Sequence, residues 1–316
     1  MTIYIGADIG KDFFDVATTE QLKAKRFKST PEGYQDFLKW LPTEQSIHIA
    51  MEATGKYSLG LALKLYEQGI PVSVVNPARI KRYGQSQLQR VKTDSEDAKL
   101  IAHFCMTQTP KLWQPERPVV AQLQEWYKFQ ELLIQQHVQI ENQLQSSLSD
   151  EVQLFQRQQL AHLSKQLTEV ENKIKKCLSC DAQLTQQVKL LSSIKGFGET
   201  TAIRLVTLIK DINRFEKAKQ LACFAGVTPR IRQSGTSVNS SVISKTGNAD
   251  LRKVLYMPSL AAIRFNPVIR AFSERLKANG VRGKKMIVAV MRKLIHMVFA
   301  ILKSGKPFDP EYRNCV

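Results

Sequence analysis

Four acidic residues within the first hundred positions have the types and spacing of a carboxylate site. Asp8 ends the apolar run IYIGAD, and Glu52 ends a second apolar run, IHIAME. Asp94 and Asp97 lie three residues apart at the start of a predicted helix, so they share one face of it. Mg²⁺ prefers carboxylate oxygens, and two such ions can flank a scissile phosphate. Together the four residues predict a magnesium site for phosphodiester chemistry.

Each acid also has a purely structural interpretation. Asp8 could cap a turn, and Asp94 could be a helix N-cap. Other acids occur nearby with no evident role, namely Asp12, Asp15 and Glu96. Two acids at strand ends together with a helical pair in one segment favour the metal site.

Alternating strand-like and helix-like segments over residues 1–104 must position these acids. The predicted strands are IYIGADIG, FFDVATT, LKAKRFKST, SIHIAME and PVSVVNP. The predicted helices are PEGYQDFLKWL, YSLGLALKLYEQG and TDSEDAKLIAHFC, the last with Thr93 or Asp94 near its N-cap. Hairpin strands followed by strand–helix units imply an α/β domain with a mixed sheet.

The segment 120–178 has a different character, since it contains neither Gly nor Pro. Its apolar positions step by three and four along two series, Leu123, Trp126, Gln130, Leu133, His137, Ile140, Leu144 and then Leu163, Leu167, Val170, Ile174. This pattern predicts a helical hairpin or coiled coil that serves as a spacer or dimeriser. The predicted domains are therefore 1–118, the spacer 119–180 and 185–316.

Charge is distributed unevenly along the 316 residues. The chain has 46 Lys+Arg and 28 Asp+Glu, which give a net charge of +18. Residues 201–316 hold 22 Lys+Arg and 6 Asp+Glu, a net charge of +16. Residues 1–200 hold 24 Lys+Arg and 22 Asp+Glu, a net charge of +2. A near-neutral front and a strongly basic back predict that the C-terminal part binds a nucleic acid. A hydrophobic content of 43% argues against a disordered chain.

The start of the basic part has the pattern of a helix–hairpin–helix. Lys195-Gly196-Phe197-Gly198 separates two apolar helices. Glycines permit a tight turn whose exposed N–H groups can meet a phosphate at the next helix N-terminus. A plain turn between two helices uses the same residues, so both interpretations stay open.

Several other signals bear on location. The N-terminus lacks a signal-peptide pattern. The apolar segment MIVAVMRKLIHMVFAIL is interrupted by Arg292, Lys293 and His296, which predicts an amphipathic core helix and no membrane span. Five cysteines without framework spacing predict a reducing, cytoplasmic setting, and the single CxxC of Cys177 and Cys180 lacks the second pair of a zinc site.

Long motifs at both ends of the chain, in order, resemble the insertion-sequence transposases of the IS110 family, IS1111 subgroup. These motifs are GADIGKDFFDVA, MEATGKY, VVNPARIKRYGQSQLQRVKTDSEDAKLIA, IKGFGETTAIRL, FAGVTPRIRQSG and ISKTGNADLRKVLY. The resemblance implies a fold that is α/β plus all-α: an RNase H-like, RuvC-type N-terminal domain, a coiled-coil spacer and a helical C-terminal transposase domain with a helix–hairpin–helix.

The resemblance also implies site residues. A DEDD tetrad falls on Asp8, Glu52, Asp94 and Asp97. The family's nucleophilic serine precedes a glycine soon after a Pro-Arg pair, which matches Ser234, with neighbouring serines at 237, 240, 241 and 244. The sequence departs from the family at Thr236-Ser237, where Gly-Lys is usual, and at Thr246, where Arg is usual. We expect nucleic-acid contacts from Lys195, Gly196, Gly198, Arg230, Arg232, Lys245, Arg252 and Lys253.

The implied function is that of a transposase that cuts and rejoins DNA strands, using two Mg²⁺ ions and a serine nucleophile. The implied partners are element-end and target DNA, a structured non-coding guide RNA, and further copies of the chain, as a dimer or tetramer joined through the spacer. Its expected place is the bacterial cytoplasm, on the nucleoid when acting. Three alternatives stay open: a DNA invertase of the same family, a RuvC-like Holliday-junction nuclease, and a non-catalytic nucleic-acid-binding protein.

Overall fold

A computed structural model of the chain describes residues 2–20, 24–43, 45–88, 93–234, 238–244 and 246–311. Side chains are described throughout these ranges except at Lys56 and at residues 230–242. The chain divides into two units, Met1–Pro115 and Glu116–Val316. Buried apolar side chains form separate clusters in the two units, so each unit has a core of its own.

The first unit is built on a five-stranded mixed sheet of order β3-β2-β1-β4-β5. Its strands are β1 Thr2–Ile9, β2 Phe13–Thr18, β3 Lys25–Lys28, β4 Ser46–Glu52 and β5 Val72–Val75. Short connections join β1, β2 and β3, which therefore pair antiparallel, whereas β1, β4 and β5 are separated by helices and pair parallel. The predicted strands and the mixed sheet are confirmed, and the arrangement is compatible with the expected RNase H-like fold.

Helices cover both faces of this sheet: α1 Pro31–Trp40, α2 Lys56–Glu67, α3 Pro77–Ser86 and α4 Asp94–Gln108. Alternation along β4 explains the two layers, because Ile49 and Met51 pack with α1 and α2, whereas Ala50 packs with α3 and α4. The helix α3 was not among the predicted elements. Its start is nevertheless signalled by Asn76, whose side chain accepts a hydrogen bond from the Ala78 N–H, followed by a proline at the first helical position.

Gly6 allows α4 to lie directly on β1. A Cβ atom at this position would lie 2.1 Å from the Ala98 carbonyl oxygen and 2.2 Å from the Ala102 backbone nitrogen. Only a residue without a side chain permits that approach, since real Cβ atoms essentially never come within 3.0 Å of another heavy atom. Gly6 therefore fixes how closely the start of α4 approaches the sheet.

Gly6→Ala is expected to destabilise the protein strongly. Overpacking of a tight contact typically costs about 1–3 kcal/mol, and the obstructing atoms here are backbone, which yields less than a side chain. Urea denaturation measures the free energy of unfolding. Gly198→Ala is the matched control, because a Cβ there meets nothing within 4 Å and the backbone has φ −87°. Equal stability of the two variants would contradict the close packing of α4 on β1.

The second unit is mainly helical. Its elements are α5 Pro118–Ser146, α6 Asp150–Ser179, α7 Ala182–Ser192, α8 Glu199–Ile209, a 3₁₀ turn Ile212–Arg214, α9 Ala218–Ala225, β6 Pro229–Ser234, β7 Val238–Ile243, α10 Ala249–Phe265, α11 Pro267–Ala278 and α12 Gly283–Ser304. The helices α5 and α6 are antiparallel, since Cys177 contacts Gln122 at one end and Ser164 contacts His137 nearer the other. Within the described ranges, no helix is long and apolar enough to cross a membrane.

The hairpin of β6 and β7 departs from the sequence-based expectation. The C-terminal domain is predicted to be helical, but the structure pairs Ser234 with Val238 and Arg230 with Val242 in an antiparallel ribbon. No strand was predicted here, because the register between two polar strands depends on partners across the turn and is not signalled by a local alternation of apolar residues.

Candidate active site

Two of the predicted acids lie side by side at the ends of neighbouring strands. Ala7 of β1 and Met51 of β4 are register partners in a parallel pair, and Asp8 and Glu52 are the next residue on each strand. Because side chains alternate along a strand, Asp8 shares the face of Gly6, which α4 covers, and Glu52 shares the face of Ala50. The parallel strands thus place both carboxylates on the same face of the sheet, at the same edge.

The other two acids enter the same region from α4. Asp94 is the first residue of this helix and Asp97 lies in its first turn, after Thr93, whose side chain accepts a hydrogen bond from the Glu96 N–H. Of the two predicted N-cap candidates, Thr93 and Asp94, Thr93 is therefore the N-cap. Carboxylates in a first helical turn are stabilised by the helix dipole.

The electrostatics show that these residues are brought together. The pKa of Asp8 is raised from 3.8 to about 6, first by burial and then by the negative charges of Asp97, Asp94, Glu52 and Asp15, in that order. Carboxylates influence one another in this way only over short distances. The structure therefore places the four predicted acids in one cluster and adds Asp15, to which no role was assigned from the sequence.

The cluster has the donor chemistry of a divalent-cation site. All its side chains are carboxylates, and a bound cation would relieve the repulsion that, after burial, raises the pKa of Asp8. In the part of the chain that the structure describes, no three His, Cys, Asp or Glu side chains already stand in a metal-ligating arrangement. The residues fit a hard cation by chemistry and charge.

Asp8→Asn is expected to stabilise the metal-free protein at neutral pH. Because the pKa of Asp8 is higher when folded, folding is favoured less as the pH rises from about 4 to about 6, and stability stays reduced above that range. Asparagine removes this penalty. The melting temperature in EDTA should therefore rise more at about pH 7.5 than at about pH 4.5.

Asp12→Asn is the control for that prediction, since Asp12 is an exposed acid in the same turn region and is absent from the charges that act on Asp8. A melting temperature of Asp8→Asn that is unchanged or lower at neutral pH would contradict the carboxylate cluster.

The predicted nucleophile lies on the β6–β7 hairpin of the second unit. Ser234 is the last residue of β6, and backbone register places positions 230, 232 and 234 on one face of the ribbon. The side chains of Arg230, Arg232 and Ser234 are not among those described, and the predicted contact Lys245 lies outside the described residues.

The predicted phosphate-binding turn joins α7 to α8. Phe197 is buried and anchors it, whereas Lys195 is exposed, and the N-cap of α8 is the exposed Gly198, which has no side chain to cap the first turn. Gly196 has φ +104°, and a Cβ there would lie 2.7 Å from the Ala262 nitrogen of α10. Gly196 is thus required for packing, whatever the neighbouring N–H groups bind.

Two further candidates are already engaged within the second unit. Arg252 donates to the carbonyl oxygens of Ala225 and Asn248, at 3.1 and 3.2 Å, and Lys253 pairs with Glu131. These partners lie up to 122 positions away along the chain. The contacts with Ala225 and Glu131 cannot be recognised from the local sequence. Both residues were therefore expected to contact nucleic acid.

Comparison with known proteins finds transposase families over most of the chain. A model for DEDD transposases of IS110 elements, described as transposase, matches residues 5–153, and a model described as transposase IS116/IS110/IS902 family matches residues 188–274. The chain is 32% identical to the pilin gene-inverting proteins of Moraxella lacunata and Moraxella bovis, over 97% of each chain. The chain belongs to the IS110 family of transposases.

The IS110-family transposase is accordingly an enzyme that acts on DNA, a transposase or recombinase. It is also 22% identical to the transposase for insertion sequence element IS1111A of Coxiella burnetii, over 82% of this chain and 78% of that one. The DEDD model covers all four acids of the cluster, and domains of this type generally depend on a divalent metal. The second model covers the hairpin that carries Ser234.

Proposed function

We propose that this transposase cuts and rejoins DNA strands by means of Asp8, Glu52, Asp94 and Asp97 as ligands of Mg²⁺ and Ser234 as nucleophile. The observation that carries the proposal is the cluster of Asp8, Glu52, Asp94 and Asp97 within a domain of the DEDD type, where burial and then the neighbouring negative charges raise the pKa of Asp8 to about 6. When bound, two Mg²⁺ ions would polarise the scissile phosphate and offset charge on the attacking and leaving oxygens.

The chain's own residues then carry out two transfers. The Ser234 hydroxyl oxygen bonds to phosphorus and gives up its proton, while the bond from phosphorus to one deoxyribose oxygen breaks and that oxygen takes a proton. A hydroxyl of another strand next attacks the phosphoserine and releases Ser234. Because each step replaces one phosphoester bond with another, rejoining needs no external energy source, whereas attack by water would give cleavage alone.

A strand-transfer assay tests the metal requirement. Purified protein with its co-purified RNA is incubated with element-end DNA, and cleaved and rejoined strands are quantified across an Mg²⁺ titration, with Ca²⁺ and EDTA as comparisons. We expect products only with Mg²⁺ or a similar cation. Equal yields in EDTA would overturn the carboxylate-bound metal.

Guidance by a structured RNA is part of the proposal. Base pairing would supply sequence recognition, which leaves the protein to contact backbones electrostatically. The net charge of +16 over residues 201–316 supports this division. RNase treatment before DNA addition should abolish products, and re-addition of the purified RNA should restore them; full activity after RNase would exclude the guide.

Assembly through the spacer, which here means α5 and α6, is also proposed. Large apolar side chains are exposed at and near the end where these helices join, including Leu148 at 99% and Phe155 at 65%. Patches of this kind mark association surfaces. Mixing an Asp8→Asn protein with a Ser234→Ala protein tests whether protomers share a site: restored strand transfer supports sharing, and none argues for a site within one chain.

Site-specific inversion is the second candidate function. The similarity to the Moraxella pilin gene-inverting proteins favours it. It would use the same tetrad and serine but act on fixed sites. A plasmid with two inverted sites reports inversion, and a plasmid with element ends and an unrelated target reports transposition. A Holliday-junction nuclease using the tetrad alone would instead keep cleaving after Ser234→Ala.

A further inference from the structure

Arg26 forms a hydrogen-bonded bridge from the sheet to the tetrad. It lies on β3 directly opposite Asp15 of β2, and Asp15 lies directly opposite Asp8 of β1. Arg26 Nε donates to Asp15 Oδ1 at 3.1 Å and Nη2 donates to Asp15 Oδ2 at 2.7 Å. The same Nη2 donates to Asp94 Oδ2 at 2.9 Å. A row of side chains thus connects Asp8 with the start of α4.

The two ends of this bridge have different surroundings. The Asp15 side chain is only 11% exposed, whereas the Arg26 and Asp94 side chains are 55% and 68% exposed. An exposed ion pair alone contributes little to stability. The forked pair with Asp15 fixes the orientation of the Arg26 guanidinium. A planar guanidinium held at two points presents its remaining donor in a fixed direction.

Asp94 needs such an anchor. It is the first residue of α4 and highly exposed, so its carboxylate otherwise has several accessible rotamers that a metal ion would have to select among at an entropic cost. Arg26 contacts only Oδ2, which leaves Oδ1 for another partner. Hydrogen bonds that orient ligating carboxylates typically change metal affinity about 10- to 100-fold when removed.

We propose that Arg26, held by Asp15, is a positioning residue that anchors one oxygen of Asp94 and so presents the other to the divalent cation. The inference rests on the proposed role of the tetrad as the metal site. In this proposal, the role of Asp15 is to hold the Arg26 guanidinium in place.

Binding of Mn²⁺ to the metal-free full-length protein, measured by calorimetry, tests this inference. Arg26→Gln should raise the Kd for Mn²⁺ about 10- to 100-fold. Removal of a nearby positive charge would by itself tighten cation binding, so positioning and simple charge predict opposite signs. Arg26→Lys keeps the charge but not the fork, and we expect a Kd between those of the wild type and Arg26→Gln.

Lys25→Gln is the matched control, since it removes the same charge from the neighbouring position of β3, where Lys25 lies over the rings of Phe27 and Trp40. Its Kd should stay at or below the wild-type value. Arg26→Gln binding as tightly as the wild type, or more tightly, would overturn the inference. Failure of the wild type to bind Mn²⁺, or unchanged binding by Asp97→Asn, would instead overturn the metal role of the tetrad.

Discussion

Asp8→Asn reduces cutting and rejoining of element-end DNA at least about 1,000-fold, because the loss of a metal-ligating carboxylate removes several kcal/mol of transition-state stabilisation and each 1.36 kcal/mol is tenfold in rate. The negative charges of Asp97, Asp94, Glu52 and Asp15 all act on the partly buried Asp8, so Asp8 lies within reach of each of these acids. Product yield under single-turnover conditions with saturating Mg²⁺ measures the effect.

The stability of the same variant excludes unfolding as the cause. Metal-free Asp8→Asn should melt at a higher temperature than the wild type at neutral pH, since the substitution removes a partly buried charge and its repulsion by the neighbouring carboxylates. Asp12→Asn, four positions further along the chain and exposed, should keep full activity. If Asp8→Asn retained more than a tenth of wild-type activity, the proposed metal site would be wrong.

Ser234→Ala is expected to abolish strand transfer while leaving the tetrad and its metal affinity intact. The hydroxyl is the atom that bonds to phosphorus in the proposed reaction, and alanine has no group to replace it. We expect rejoined product to fall at least about 1,000-fold, as for other losses of an activated nucleophile. Residual cleavage without rejoining would mean that water replaces the serine at a competent metal site.

Ser237→Ala is the control for the neighbouring serines, since Ser237 lies three positions away and precedes β7. It should rejoin DNA as the wild type does. Loss of strand transfer in Ser237→Ala together with its retention in Ser234→Ala would move the nucleophile to Ser237. Retention in both variants would overturn the serine mechanism on this segment.

Most of the first unit could be predicted from the sequence, because its signals are local. The apolar runs that end at Asp8 and Glu52 become adjacent parallel strands, and this topology alone brings the two acids to one edge of the sheet. Thr93 before an acidic first turn announces the start of α4. These patterns sufficed to name the four residues that the structure brings together.

Long-range contacts were not predictable in this way. The bridge from Arg26 to Asp94 spans 68 positions, and Asp15 gained its role only through strand register. Gly196 suggested a phosphate-binding turn, yet its close approach to Ala262 depends on how α10 packs. Arg252 and Lys253 were expected to contact nucleic acid, whereas the fold supplies Ala225, Asn248 and Glu131 as partners. Asp94, Ala262 and Glu131 are each remote in sequence from the residue that they contact.

Covalent capture tests the central claim most directly. Wild-type transposase with its RNA and Mg²⁺ is incubated with element-end DNA, digested with protease and nuclease, and the peptides are identified by tandem mass spectrometry. The proposed mechanism predicts a nucleotide attached to Ser234, present in the wild type, absent from Asp8→Asn because the metal site is lost, and absent from Ser234→Ala. Efficient strand transfer with no nucleotide-linked peptide, or a nucleotide attached to a different residue, would contradict it.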